Sequence, residues 1–186
     1  MKPTETLTRE HRAIQQMCEI IRTAAKKLEA GELKDLSVFA KAIDFFRNFA
    51  DRCHHSKEER LLFVKLVEKG IPKDGGPVGV MLAEHDLGRS HIRGMDEALR
   101  RLEAEHREAA ADLVAHALAY ADLLSNHIQK EDNILFVLAD RILDEAEQRE
   151  LAEAFARLEA EEVGEGTHER YHRILEELRK EVLASP

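Results

Sequence analysis

The stretch His54-His-Ser-Lys-Glu58-Glu-Arg-Leu-Leu-Phe63 returns farther along the chain as His127-Ile-Gln-Lys-Glu131-Asp-Asn-Ile-Leu-Phe136. The copies share His, Lys, Glu, Leu and Phe at matching offsets, pair Glu59 with Asp132, and are both followed by Val. In each, a His and a Glu stand four residues apart, which on a helix puts them one turn apart on one face. The pair Glu10-His11 recurs as Glu84-His85 at nearly the same offset. Two repeats, each a lone His plus a His-x-x-x-Glu, supply four imidazoles and two carboxylates. That inventory suits a pair of transition-metal ions.

Around these motifs the apolar residues recur every three or four positions. A first helix capped by Thr6 or Thr8 is expected to run to about Leu28 and stop at Gly31, with His11 in line with Leu7, Ile14, Cys18 and Ile21. A second, from about Leu36 to Lys69, carries Ile43, Phe46 and Ala50, then His54 and Glu58, then Leu61 on its stripe. Gly70, Pro72, Gly75, Gly76 and Pro77 break the pattern. The third helix, about Val78 to Glu105, sets His85 among Met81, Leu82, Ile92 and Met95. The fourth, about Glu108 to Leu138, reads Leu113, Ala117, Tyr120, Leu124, His127, Glu131, Ile134, Leu138. Two more helices, about Glu145 to Glu162 and Thr167 to Leu183, follow outside the repeat, and the last is expected to turn His168 and His172 toward protein. No stretch shows the two-residue alternation of a half-buried strand. The expectation is an all-α fold: an up-down-up-down antiparallel four-helix bundle with two additional C-terminal helices.

Composition bounds the function. The 186 residues suit one domain, and 35% of them are charged. A net charge of −9 speaks against nucleic acid as a partner. No apolar run approaches a membrane span, and the first residues lack a signal-type segment, so a cytoplasmic location is expected. Two cysteines, Cys18 and Cys53, are too few for a disulfide framework and read as reduced.

Counting from each turn tests whether the six side chains meet. His11 lies 18 residues before the expected end of helix one, and His54 lies 18 after the start of helix two. His85 is 20 residues before the end of helix three, and His127 is 19 after the start of helix four. With about 1.5 Å of rise per residue, all six reach one layer. A His on an apolar stripe is ordinarily a hydrogen-bonded core residue, and a His and Glu one turn apart are ordinarily a surface pair. Here both interrupt the stripe in each copy, where unpaired carboxylates are costly to bury. Repetition, stripe placement and equal depth favour metal. Imidazole with carboxylate suits iron, and also zinc, manganese or copper; without thiolates a closed structural zinc site fits less well. Glu58 and Glu131 could bridge two ions. Six side chains leave coordination positions open for a small ligand. Glu10, Glu84, Glu59 and Asp132 are candidates to orient imidazoles, although a neighbour in sequence points about a quarter-turn away from the ligand face.

With these residues in hand, the chain resembles the hemerythrin-like proteins, in particular the HHE cation-binding domains. The likeness rests on Glu-His near the start of helix one, on the His-x-x-x-Glu-acid followed by Leu-Phe, and on the return of both. It implies one hemerythrin-like domain over residues 1–186, with the bundle at about 5–140 and the C-terminal helices at about 144–184. It further implies two iron ions with an oxo or hydroxo bridge, manganese or zinc being poorer fits. The metal ligands it implies are His11, His54, Glu58, His85, His127 and Glu131. The chain departs from the oxygen carriers, which carry two His one turn apart on the third helix, by placing Arg89 four residues after His85. Its last motif spaces His127 and Glu131 by four where the carriers use five and Asp. The missing imidazole has three candidate sources: His55, His168 and His172. His91 and His116 are badly placed. Gly88, one turn beyond His85, is expected to leave room beside the metals.

Two functions from different classes follow. One is a di-metal protein that binds or reduces dioxygen, peroxide or nitric oxide, with a peroxide- or nitric-oxide-detoxifying activity as its enzymatic form. The other is an oxygen-, redox- or iron-sensing or iron-handling module that signals through the C-terminal helices. A metal held for stability alone is the plainest reading. Oxidant, metal identity and oligomeric state are not legible in the sequence.

Overall fold

A computed structural model describes residues 1–164 and 166–183, with backbone only at Val163. All its regular elements are helices. α1 spans Pro3–Glu29. α2 covers 37–68, running as Ser37–Phe45, two segments with widened i→i+5 turns (Phe46–His55 and Glu58–Leu62), and Phe63–Glu68. α3 is Pro77–Glu103. α4 covers 109–142 and widens at Glu131–Leu135 between Ala109–Lys130 and Phe136–Ile142. α5 covers 145–163 and α6 is Thr167–Leu183. No helix among the described residues is long and apolar enough to cross a membrane.

The first helix starts earlier than its threonines suggested. Pro3 occupies the first turn, where its missing N–H is no loss, and the backbone N–H of Lys2 donates to Glu5. The Thr4 and Thr8 hydroxyls donate instead to Asp140 and Asp132 of α4, at 2.7 and 3.1 Å. Asp144 caps α5 by accepting from the backbone N–H groups of Ala146 and Glu147. Gly76 sits before α3 because a Cβ there would stand 2.2 Å from the Pro72 carbonyl oxygen.

Three pairs of these helices pack antiparallel within a helical bundle. Between α1 and α4 the contacts run from Thr4–Asp140 through His11–Asp132 to Arg22–Asp122. Between α3 and α4 they run Glu84–Lys130, His91–His116, Arg101–Asp112. α2 and α3 meet at His55–His85 and at Arg47–Asp96.

Buried apolar residues fall into two clusters along this bundle. One gathers Ile14, Met17, Ile21, Phe46, Ala50, Ile92, Met95, Leu124 and Ile128; the other gathers Leu7, Leu62, Phe63, Met81, Leu135 and Phe136. On every one of the four helices the expected ligands lie between a residue of the first cluster and one of the second. α6 closes the first cluster with Tyr171, Leu175, Leu178 and Val182, and α5 closes the second with Leu151 and Phe155. The α6 stripe therefore passes through Tyr171 and leaves His168 on its flank, half-buried, and His172 exposed. That corrects the expectation that both histidines face protein. Residue 184, the expected end of the last helix, lies outside the described residues.

Candidate metal centre

Each His-x-x-x-Glu motif ends on a carboxylate that opens a five-residue widened turn, Glu58–Leu62 in α2 and Glu131–Leu135 in α4. Such turns recur at functional sites because one inserted residue re-aims the helix face. Here the face stays inward after the carboxylate, with Leu62 and Leu135 fully or nearly fully buried.

His11, His54, His85, His127, Glu58 and Glu131 are all buried at 1% exposure or less. Glu131 Oε2 lies 3.2 Å from both His11 Nε2 and His127 Nε2. Glu58 stands 3.4 Å from His54 Nε2 and 3.5 Å from His85 Nε2. The Nε2 atoms of His85 and His127 approach to 3.0 Å. Of three groups of donor atoms gathered within 4.8 Å among the described residues, one (Glu10, Cys53, Glu159 and His168) lies beside this layer and two make it up: His11, His54, Glu58 and Glu131, and His55, Glu58, His85 and His127. Glu58 belongs to both. His55 thus joins the layer, its ring stacked on His85 at 3.8 Å.

The four acids beside the ligands close a ring around this layer. Glu10 on α1 accepts from His54 Nδ1 on α2 at 2.8 Å, and Glu59 on α2 from His85 Nδ1 on α3 at 2.7 Å. Glu84 on α3 accepts from His127 Nδ1 on α4, and Asp132 on α4 from His11 Nδ1 on α1, both at 2.8 Å. The quarter-turn that counted against these acids is what aims each of them at the next helix. With every Nδ1 donating outward, each Nε2 faces the interior.

The repeat extends to residues the ligand pattern did not single out. Lys57 and Lys130, each one position before a motif carboxylate, pair with Glu10 and Glu84. Lys57 is fully buried and also reaches Glu159 of α5; burial works against its charge, but Glu10 more than restores it. Arg89 binds Asp51 at 2.8 Å and Glu59 at 2.6 Å. It therefore holds the acids that orient His55 and His85. The sequence signal for Lys57 was its recurrence as Lys130, and that for Arg89 was its place one turn after His85.

Burial disfavours the imidazolium of His11 and His127, yet Glu131 between them, with Asp132 on His11 and Glu58 nearby, raises them to about 10 and about 9. Burial lowers His55 and His85 to about 4, helped by the charges of neighbouring imidazoles. Even so, His11 Nε2 and both oxygens of Glu58 and of Glu131 are buried without a hydrogen-bond partner. These five atoms, converging from three helices, fit metal cations, which would satisfy groups left buried without a hydrogen bond.

His168 and His172 lie apart from this layer. His168 Nε2 is 3.5 Å from Cys53 Sγ, 3.6 Å from Glu159 and 3.9 Å from Glu10. His172 is exposed beside the Phe49 ring, at 6.3 Å between centroids. Cys18 and Cys53 are free and buried.

Uncharacterized proteins of Mycobacterium tuberculosis and Mycobacterium bovis are 26% identical to the chain over 161 residues, which is 87% of this chain and 62% of theirs. The chain thus spans less than two thirds of the length of these relatives. Residues 2–139, which carry every member of the donor layer, match the hemerythrin HHE cation binding domain. On a match of that extent, the chain belongs to the hemerythrin HHE cation-binding domain family.

Proposed function

We propose that the chain is a non-haem di-iron protein that binds or reduces a small oxidant: dioxygen, peroxide or nitric oxide. The observation that carries the reading is the position of Glu58, whose buried, unpartnered carboxylate is common to both groups of donor atoms. In this reading His11, His54, His85, His127, Glu58 and Glu131 hold two ions within an up-down-up-down four-helix bundle, and His55 supplies a further imidazole. α5 and α6 complete one domain with that bundle. Iron, when bound, supplies electrons to a small oxidant. Zinc suits the same donors but has no redox chemistry with which to reduce an oxidant. Free, buried Cys18 and Cys53 agree with a cytoplasmic location.

The chain's own residues prepare the site. Glu10, Glu59, Glu84 and Asp132 fix the imidazole orientations, so little reorganisation accompanies metal binding. Phe136 stacks on His11 at 5.4 Å and Phe63 on His85 at 5.9 Å, which keeps water from the side of the layer facing the second apolar cluster. The two carboxylates offset the repulsion of two dications.

A second reading has an observation of its own. Glu159 of α5 reaches Lys57, and Lys57 reaches Glu10, the acceptor for His54. A change of charge at the layer would be felt at the C-terminal helices, as a sensing or iron-handling module requires. Metal analysis of the purified protein, an optical spectrum with and without oxygen, and peroxide consumption separate the two. Two irons with steady peroxide turnover, or with a spectrum that changes reversibly with oxygen, support the first reading; metal without either supports the second. Fewer than one ion per chain overturns both.

A further inference from the structure

Beside the layer, donor atoms of Glu10 on α1, Cys53 on α2, Glu159 on α5 and His168 on α6 come within 4.8 Å of one another. The sequence repeat does not account for them. The position matching Cys53 in the second copy is Asn126, and α5 and α6 lie outside the repeat. Cys53 is fully buried in the widened Phe46–His55 segment. Phe49, one turn earlier, meets the His168 ring edge-on at 5.1 Å, and His168 Nε2 lies 3.5 Å from Cys53 Sγ and 3.6 Å from Glu159 Oε1. Ligands of one tetrahedral ion stand about that far apart: bonds of about 2.3 Å to sulfur and about 2.0–2.1 Å to nitrogen or oxygen put sulfur about 3.5 Å from nitrogen. One proton on Nε2 can bond only one of these neighbours well, whereas an ion takes all three donors at once.

Lys57 decides which carboxylate is free to ligate. Glu10 accepts from His54 Nδ1 and from Lys57, and it lies 3.9 Å from His168 Nε2. Glu159 shares the same ammonium but stands nearer to His168, so Glu10 keeps Lys57 while Glu159 turns to an ion. Thiolate, imidazole and carboxylate then supply three ligands and two negative charges to one dication. The sulfur selects zinc over harder ions such as manganese or magnesium, and sets this cluster apart from the thiolate-free layer. Access comes from outside: Glu159 and His168, each about a third exposed, line a cleft of ≈ 360 Å³ together with Ala156, Ala160, Gly164 and Gly166. Such an entry path is a requirement of a metal site, and the fourth position would face it.

We propose that Cys53, Glu159 and His168 form a separate mononuclear site for a zinc-type divalent ion, entered through this cleft. Binding releases the thiol proton to solvent and joins α2, α5 and α6 through one ion. The proposal goes beyond the di-metal reading and does not rest on it.

Cobalt(II) is the probe, because a bound thiolate gives it a near-ultraviolet charge-transfer band that imidazole and carboxylate ligands do not. Cobalt taken up by the layer therefore leaves this readout unchanged. It is titrated into the protein as purified, into Cys53→Ser and into His168→Ala, with difference spectra and metal analysis of each. The expected result is a thiolate band saturating at one cobalt per chain in the parent and discharged by zinc. Cys53→Ser should lack the band. In His168→Ala cobalt affinity read from the band should fall at least about 100-fold, since loss of an outer partner alone costs about 10- to 100-fold. His168 is part-exposed, so its variant folds even where that of the buried Cys53 does not. A parent without the band overturns the proposal. So does a band that survives in Cys53→Ser, or one that keeps the parent's affinity in His168→Ala. Iron content of the same samples decides the di-metal reading separately.

Discussion

Glu10 accepts from His54 Nδ1 at 2.8 Å across the α1–α2 interface, although it is the immediate neighbour of His11, a candidate ligand on its own helix. The same relation joins Glu84, beside His85, to His127. One short acidic-histidine pair thus serves twice, its His facing the layer and its acid steadying an imidazole on the next helix. Every helix of the four both gives and receives such support.

The outer acids should therefore tune metal affinity without being ligands. Glu84→Ala is expected to weaken metal binding about 10- to 100-fold while leaving the donor set complete. Competition against a chelator of known affinity measures it. An unchanged affinity would remove the orienting role.

Glu58→Ala and Glu131→Ala remove carboxylates that stand unpartnered in the interior. Each is expected to lower the metal content by about one ion per chain, because imidazoles alone leave one ion short of anionic ligands. Elemental analysis decides it: two full ions in both variants would end the bridging assignment.

Lys57 has no exposed surface, and Glu10 has almost none. Glu10→Ala leaves the ammonium with Glu159 alone and is expected to destabilise the protein by about 3–5 kcal/mol. Adding Lys57→Met to Glu10→Ala should recover much of that, since the uncompensated charge is gone. Denaturant unfolding of the parent, both single variants and the double variant gives the coupling. Additive losses would show that the pair is not coupled.

His168 sits with Cys53 and Glu159, away from the imidazoles of the layer. His168→Ala should keep both metals and the parent's spectrum. Leu178, fully buried in the first apolar cluster, should cost about 2–5 kcal/mol as Leu178→Ala. Ending the chain after Glu162 removes that packing too, and unfolding at lower denaturant is the expected result. A His168→Ala protein with one metal would make α6 a ligand-bearing helix.

The sequence alone carried the helices and the depth of the layer. Periods of three and four locate an apolar stripe, and equal distances from the turns place His11, His54, His85 and His127 at one height, because rise per residue is nearly constant. The repeat also singled out Glu58 and Glu131, since two ionisable groups breaking an apolar stripe twice need a shared reason. Partners across helices were decided only by the tertiary structure. Rotation about each helix axis determines whether Glu10 faces its own layer or the next helix, and no count along one chain supplies that angle. The widened turns at Glu58–Leu62 and Glu131–Leu135 shift that rotation by a residue without a mark in the apolar pattern. For the same reason His168, His172 and His55 were indistinguishable as sources of an extra imidazole. Packing of Tyr171, Leu175 and Leu178 turned the first two away from the layer, while the stack on His85 brought His55 in.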